Sequence, residues 1–214
     1  MVGGHMKILY GTTNKAKLQA MRHAVEMLGI DVIGLNDIKG ERPTIKECGK
    51  TPLENAEQKA KAYYQAFRIP VFSCDSGLYF DELKEEEQPG VYVRRINGKE
   101  LSDDEMIAYY SSLARRYGGQ ITGQYRNAIC FVWDENHCFS SMDPSIATEP
   151  FLLSAVPHPK RVRGFPLDSL SIDLASGQYY YNLGFKDVSS SVDDGVRVFF
   201  QKALSEIKKN HLFE

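Results

Sequence analysis

A chain of 214 residues with 43% hydrophobic content is long enough to bury a proper core, as one large domain or as two small lobes. The net charge of -2 argues against a general nucleic-acid binder, and no apolar run approaches the length needed to cross a membrane. Residues Met1 to His5 read as an expression remnant ahead of a native start at Met6, and no signal peptide is visible. Cys48, Cys74, Cys130 and Cys138 form no C-x-x-C pair and have no adjacent His ligand pattern. That argues against zinc and against a disulfide framework, and makes a reducing cytoplasm the simplest home.

Ile8, Leu9 and Tyr10 form an apolar strand that ends in the stretch GTTNKAK, residues 11–17. Gly, Thr and Asn turn a chain and cap a helix, so one reading of this stretch is a tight turn with a cap. The other is a phosphate cradle, in which backbone N–H groups at a helix start are joined by the Thr12 hydroxyl, the Asn14 amide and the Lys17 ammonium. Leu18, Met21, Val25 and Leu28 recur at helical spacing, and Gly29 sits where that helix stops. A short strand from Ile30 to Leu35 and a polar loop from Asn36 to Lys50 follow. Thr51, Pro52 and Glu54 then place an N-cap, a first-turn proline and an acid three after the cap, opening a helix that runs to about Phe67.

The run from Ile69 to Cys74 is a compact apolar strand leading into Asp75, Ser76 and Gly77, which read equally as a turn or as part of a site. Ser102 with Asp103, Asp104 and Glu105 is a second capping box, for a helix with Met106, Tyr109, Leu113 and Tyr117 on its apolar face and Gly118 and Gly119 at its end. Tyr125 to Trp133, a turn at Asp134 to Asn136 and the residues from Cys138 onward predict a β-hairpin. Gln178 to Leu183 reads as a further strand, and Val196, Phe199, Phe200, Ala203 and Ile207 line a closing helix.

Four polar clusters punctuate the first half: Thr12, Asn14 and Lys17; Glu47; Glu54, Asn55 and Lys59; and Asp75 with Ser76. Ligands of open α/β sheets bind outside the carboxyl ends of strands, so Lys17 and Asp75 can share one crevice. Asn55 and Lys59, four apart, lie on one helix face. Lysines beside acids suit a metal triphosphate, the cations holding phosphate oxygens while Glu47 and Asp75 hold magnesium or orient a water. Taken singly, Glu54 reads as a capping partner, Lys59 as a solvated helix charge, and Cys74 as a small buried residue with no placed His to activate it.

The order T-x-N-x-x-K after the first strand, then ENAEQKA, then CDSGLYFDEL leading to PGVYVRR, resembles the inosine triphosphate pyrophosphatase family. Later, GFPLDSLSI is similar to that family's G-F-G-Y-D-P-I-F segment, with Gly164, Phe165 and Asp168 in register. The resemblance implies an α/β fold with a long mixed sheet and flanking helices, residues 6–214 forming one domain with two lobes around a nucleotide cleft. It also implies magnesium-dependent hydrolysis of aberrant purine nucleoside triphosphates to monophosphate and pyrophosphate, by a homodimer. Carried over residue by residue, it implies that Thr12, Asn14, Lys17 and Lys59 contact the triphosphate and that Glu47 binds magnesium. Asp75 matches the general base and a metal ligand. Ser76, Phe165, Asp168 and Lys186 join the substrate-binding set.

The departures from that family pattern are specific. The acid usual before the base carboxylate is Cys74, so one metal-site charge is missing. The aromatic expected on the purine is Leu167, leaving Phe165 as a stacking face. The family's Ser-His-Arg, which reads the purine 6-oxo group, aligns with Ser190, Ser191 and Val192, so the phosphate half is intact and the base-reading half altered. Two alternatives therefore stand beside the enzyme: a catalytically weak nucleotide-binding or sensing homologue, and a Maf-like pyrophosphatase with a different base preference.

Overall fold

The computed structural model describes residues 6–183 and 190–210, so the remnant expected at Met1 to His5 and the expected substrate residue Lys186 lie outside the described residues. The chain is α/β, with a long mixed sheet and flanking helices. In order come β1 (Met6–Tyr10), α1 (Lys15–Val25), β2 (Ile30–Gly34), α2 (Pro52–Phe67), β3 (Val71–Phe80), β4 (Arg95–Ile96), β5 (Lys99–Glu100) and α3 (Asp103–Arg116). They are followed by β6 (Gln120–Val132), β7 (Cys138–Ser141), β8 (Phe151–Ser154), β9 (Ser171–Asp173) and α4 (Ser190–Asn210). The sheet order is β2-β1-β3-β6-β8-β9, with β7 on β6, while β4 and β5 make a separate ribbon. β1 is parallel to β2 and β3; β6 is antiparallel to β7 and β8.

The chain divides into two compact units, one of Met1–Ser76, Asn127–Ala147 and Ser189–Glu214, the other of Gly77–Arg126 and Thr148–Val188. In the first, strands buried on both faces carry near-continuous apolar runs, as parallel strands covered by helices must. On one face Ala56 and Ala60 of α2 close tightly onto Leu9, Val71, Ala128, Cys130 and Val132. On the other, Val196, Phe200, Ala203 and Ile207 of α4, with Ala24 and Val25 of α1, cover Ile8, Tyr10, Phe72, Ile129 and Phe131. Each large side chain buried this way stabilises by about 1.5–3 kcal/mol. α1 passes into a 3₁₀ turn at Glu26–Leu28 and is closed by Gly29 at φ 68°, a left-handed position open to glycine.

In the second unit the Ser102 capping box forms as expected, with Ser102 Oγ accepting from Glu105 N and the Glu105 carboxylate accepting from Ser102 N. The buried face of α3 is Met106, Ile107, Tyr110, Leu113 and Ala114, so the aromatic at its centre is Tyr110, where the sequence pointed to Tyr109. Both positions fit the period; Tyr110 wins because its hydroxyl donates to the Val93 carbonyl at 2.8 Å, which lets a phenol be buried with its polar atom satisfied.

Two sequence expectations change in the structure. Asp75, Ser76 and Gly77 form no turn but continue β3 to Phe80; beyond them Leu78 and Gly90 exchange two backbone hydrogen bonds of 2.9 Å, and this pairing overrides the local turn signal. The expected strand from Gln178 to Leu183 is a single bridge, Ile172 to Tyr179, followed by a 3₁₀ turn at Tyr180–Asn182. The tight turn in which Ser176 donates twice to Asp173 sets its start, and the Tyr179 hydroxyl donates to the Val156 carbonyl at 2.6 Å.

Candidate active site

The stretch after β1 is a capped turn. Asn14 Oδ1 accepts from Ala16 N at 2.9 Å and Lys17 N at 3.2 Å, and Thr12 Oγ1 accepts from Asn14 N at 3.2 Å. The carbonyl of the Asn14 side chain is thus committed to starting α1, and the Asn14 amide, the Thr12 hydroxyl proton and the Lys17 ammonium remain as donors.

The centre of the site is on β3 and α2. Asp75 Oδ1 accepts from Lys59 Nζ at 3.0 Å, and its Oδ2 accepts from Asn55 Nδ2 at 2.9 Å. Lys59 Nζ also lies 3.4 Å from Glu47 Oε1, so one ammonium is held between two carboxylates. The side chains of Lys59 and Asp75 are 13% and 17% exposed, so this pair is well removed from water, whereas Glu47 at 48% faces solvent. The four-residue spacing of Asn55 and Lys59 places both on one face of α2, as expected.

The first turns of α2 also hold the loop that carries Glu47. Gly49 N donates to Asn55 Oδ1 at 2.8 Å, Lys50 N to Glu54 Oε2 at 2.6 Å, and Cys48 N to Gln58 Oε1 at 3.4 Å. Because Gly49 occupies the Asn55 oxygen, the Asn55 amide must offer its N–H to Asp75, and one buried side chain links the Glu47 loop to the acid on β3. A side chain at position 49 has no room: its Cβ would lie 2.6 Å from Asn55 Oδ1 and 2.9 Å from Asn55 N. Glu54 is a capping group, as read from the sequence, but its carboxylate accepts from Lys50 N while Thr51 Oγ1 accepts from Glu54 N.

Strand alternation sends the neighbours of Asp75 to the opposite face. There a cavity of about 190 Å³ is lined by Lys17 and Met21 of α1, Cys74 and Ser76 of β3, and Val192 and Asp193 of α4, among others. Ser76 Oγ donates to Asn127 Oδ1 at 2.7 Å, and Asn127 Nδ2 donates to the Ile146 carbonyl at 2.7 Å. Burial pushes the Cys74 thiol up to about 11, against the opposing pull of a hydrogen bond with Tyr10 and of the Lys17 and Lys59 charges. A thiol that stays protonated adds no charge to a metal site and is no nucleophile at neutral pH. Burial, and then Cys74, likewise raise the Tyr10 phenol.

The structure therefore brings Glu47, Lys59 and Asp75 together, and places Lys17 and Ser76 on the other face of the same strand. Asn55 and Asn127 are the site residues that sequence reasoning left out of its set; the Asn55–Lys59 spacing was the available signal for the first, and nothing local marks the second. Phe165 and Asp168 belong to the second unit. Phe165 is 59% exposed, next to Gly164, whose N–H donates to Asp103 Oδ2 at 2.7 Å. Burial raises the Asp168 carboxyl, and Leu167 packs into the core of that unit with Leu170.

Comparison with known proteins gives a consistent result. The dITP/XTP pyrophosphatase of Aquifex aeolicus is 38% identical over 91 residues, which is 42% of this chain and 42% of that protein. The enzyme of the same name from Rhodopseudomonas palustris is 30% identical over 135 residues, covering 61% of this chain and 62% of that one. The chain thus spans 42 to 62% of the length of these curated relatives. A solved HAM1 protein from Coxiella burnetii superposes with a TM-score of 0.72 at 21% identity, over 95% of this chain and 99% of the other, which speaks for the fold. A model of the Ham1 family matches residues 8–151 of the 214, from within β1 to the first residue of β8, and the chain belongs to that family.

Proposed function

We propose that this chain is a nucleoside triphosphate pyrophosphatase that hydrolyses non-standard purine nucleoside triphosphates of the dITP and XTP type to monophosphate and pyrophosphate. The observation that carries this reading is the Asp75 carboxylate, held from one side by Asn55 and from the other by Lys59 beside Glu47. Family membership and the names of the curated relatives support it.

The residues fit magnesium. Glu47 and Asp75 converge on one cation, the Lys59 ammonium, and among the described residues no group of three or more His, Cys, Asp and Glu could hold a metal on its own. One or two carboxylates, with water and phosphate oxygens completing the shell, is how magnesium is held. Glu47 and Asp75 would hold it, and when bound it supplies neutralisation of phosphate charge. Asp75 accepts the proton of the attacking water through a lone pair not used by Asn55 or Lys59. Lys17 and Lys59 hold triphosphate oxygens in this reading, with Thr12 and Asn14 donating from the turn. Ser76 takes part through Asn127, and Phe165, as a stacking face, and Asp168 belong to the substrate-binding set of this reading. Homodimerisation and a cytoplasmic home belong to the same reading.

A panel of nucleoside triphosphates incubated with magnesium, with pyrophosphate and monophosphate measured, tests this reading. Release of pyrophosphate supports it. Release from none, with nucleotide still bound, transfers the assignment to a binding or sensing homologue, the reading that the neutral Cys74 favours.

Lys17→Ala and Lys59→Ala are expected to lower kcat/KM by about tenfold or more for every triphosphate alike, since a hydrogen bond to a charged group contributes about 1.5–3 kcal/mol. A loss that varies strongly with the base would remove that lysine from phosphate binding. Val192 offers no donor to the cavity it lines, and Arg197 is occupied by the Ala24 carbonyl and Asp194. With Val192 where the family presents a donor, a base lacking the 6-oxo group leaves no buried donor unpaired at that position, so the efficiency ratio of inosine over adenosine triphosphate is expected to stay within about tenfold. Competition assays read this ratio, and a preference of about a hundredfold would show that a donor exists elsewhere.

A further inference from the structure

Two thiols meet on the hairpin. Cys130 of β6 and Cys138 of β7 stand at diagonal positions, since Cys130 pairs with Ser140 and Val132 with Cys138. Period-2 alternation puts both side chains on the face that packs against α2. Their sulfurs are 3.7 Å apart; Cys130 is 0% exposed and Cys138 is exposed. Lys61 of α2 bears on both sulfurs, and Lys61, Gln65 and Arg68 line a surface recess of about 390 Å³ that Cys138 also borders. None of these residues belongs to the phosphate site.

We propose that Cys130 and Cys138 form a peroxide-oxidisable dithiol, with Cys138 as the sulfur that reacts first and Cys130 as the sulfur that resolves it. The hydrogen bond with Cys130, against the opposing effect of burial and with help from the Lys61 charge, holds the Cys138 thiol below its ordinary range, while the partner sulfur and burial hold Cys130 above. Cys138 is the exposed sulfur and the more readily ionised of the two, which is where a peroxide can attack. The Cys138 thiolate attacks one peroxide oxygen: an S–O bond forms, the O–O bond breaks, and the leaving hydroxide takes a proton to become water. The Cys130 sulfur then attacks the Cys138 sulfenic acid. An S–S bond forms, the S–O bond breaks, and the Cys130 proton leaves with the hydroxyl as a second water. Two electrons pass from the two sulfurs to the peroxide. The sulfurs must close from 3.7 Å to about 2.05 Å, and Cys138, the first residue of a strand whose pairing is with β6, is the partner placed to move. The other exposed thiol, Cys48, has its sulfur 3.6 Å from Gln58 Oε1.

The test is peptide mapping by mass spectrometry of the intact protein after hydrogen peroxide treatment, without reductant. The expected result is loss of two hydrogens and a linked Cys130–Cys138 peptide that reappears as two thiols on reduction. Cys130→Ala is expected to stop at a sulfenic acid on Cys138 that dimedone traps, and Cys138→Ser to leave Cys130 unoxidised; should Cys130→Ala fail to fold, Cys138→Ser alone still reads the order of reaction. Wild-type protein that carries a dimedone adduct on Cys138 without any linked peptide, or that links only Cys48 of two molecules, overturns the proposal.

Discussion

Asp75→Asn is expected to lower turnover by about a hundredfold or more, equivalent to about 2.7 kcal/mol of lost transition-state stabilisation. The amide has the shape of the carboxylate but cannot accept a proton from water at neutral pH. The geometry adds a second consequence. Lys59 and Asn55 both donate to Asp75, and the Asn55 amide cannot turn round because its oxygen is taken by Gly49 N. The new amide must point its own N–H groups at one of these donors, and an unsatisfied buried group costs about 1–3 kcal/mol. The variant should therefore be less stable as well as less active, and turnover is to be measured below its unfolding transition, followed by circular dichroism. Steady-state assays with the best triphosphate of the panel read the effect on kcat. Turnover unchanged in folded protein would remove Asp75 from the chemistry.

Much of this arrangement is legible in the residues themselves. Thr51–Pro52 and Ser102–Glu105 announce the starts of α2 and α3 because capping is local chemistry, and α2 ends at Phe67, where the sequence placed its end. Segments whose conformation is decided by a distant partner are not legible. Asp75, Ser76 and Gly77 have turn composition and lie in a strand, because β3 continues beyond them to Leu78, which pairs with Gly90. The site divides in the same way. Glu47, Lys59 and Asp75 could be gathered from their charges and order, whereas the role of Asn55 depends on the Gly49 amide, and that of Asn127 on Ser76 and Ile146, contacts made across the chain. The placing of Cys74 and Ser76 on the face opposite Asp75 follows from strand alternation and needs only the correct strand assignment there to be seen. Of the stretch expected to read the base, the described residues show Val192, which forms part of the wall of the cavity beside Cys74.

Gly195→Ala is expected to destabilise the protein by about 2 kcal/mol or more, although alanine is the better helix former. At an ordinary position in a helix the substitution would stabilise by about 1 kcal/mol. At Gly195 the helix α4 crosses the 3₁₀ turn Pro144–Ile146 so closely that a Cβ would lie 2.1 Å from the Ser145 carbonyl oxygen and 2.6 Å from its carbon. Both are backbone atoms, and the turn cannot retreat freely. Asn127 Nδ2 holds the Ile146 carbonyl at 2.7 Å, and Asp143 Oδ1 holds Ser145 N at 2.9 Å. Overpacking of this kind costs about 1–3 kcal/mol and more where nothing yields, which outweighs the gain in propensity. Urea denaturation should show a lower midpoint at unchanged slope. A second readout separates strain from a general loss of packing. Val192, Asp193 and Val196 of α4 line the cavity beside Cys74 and Ser76, so a helix pushed off the turn changes that wall, and KM for triphosphate should rise in protein that is still folded. A midpoint equal to or above that of the parent would mean that α4 and the turn do not meet at Gly195, and the seating of α4 against the cavity would have to be redrawn.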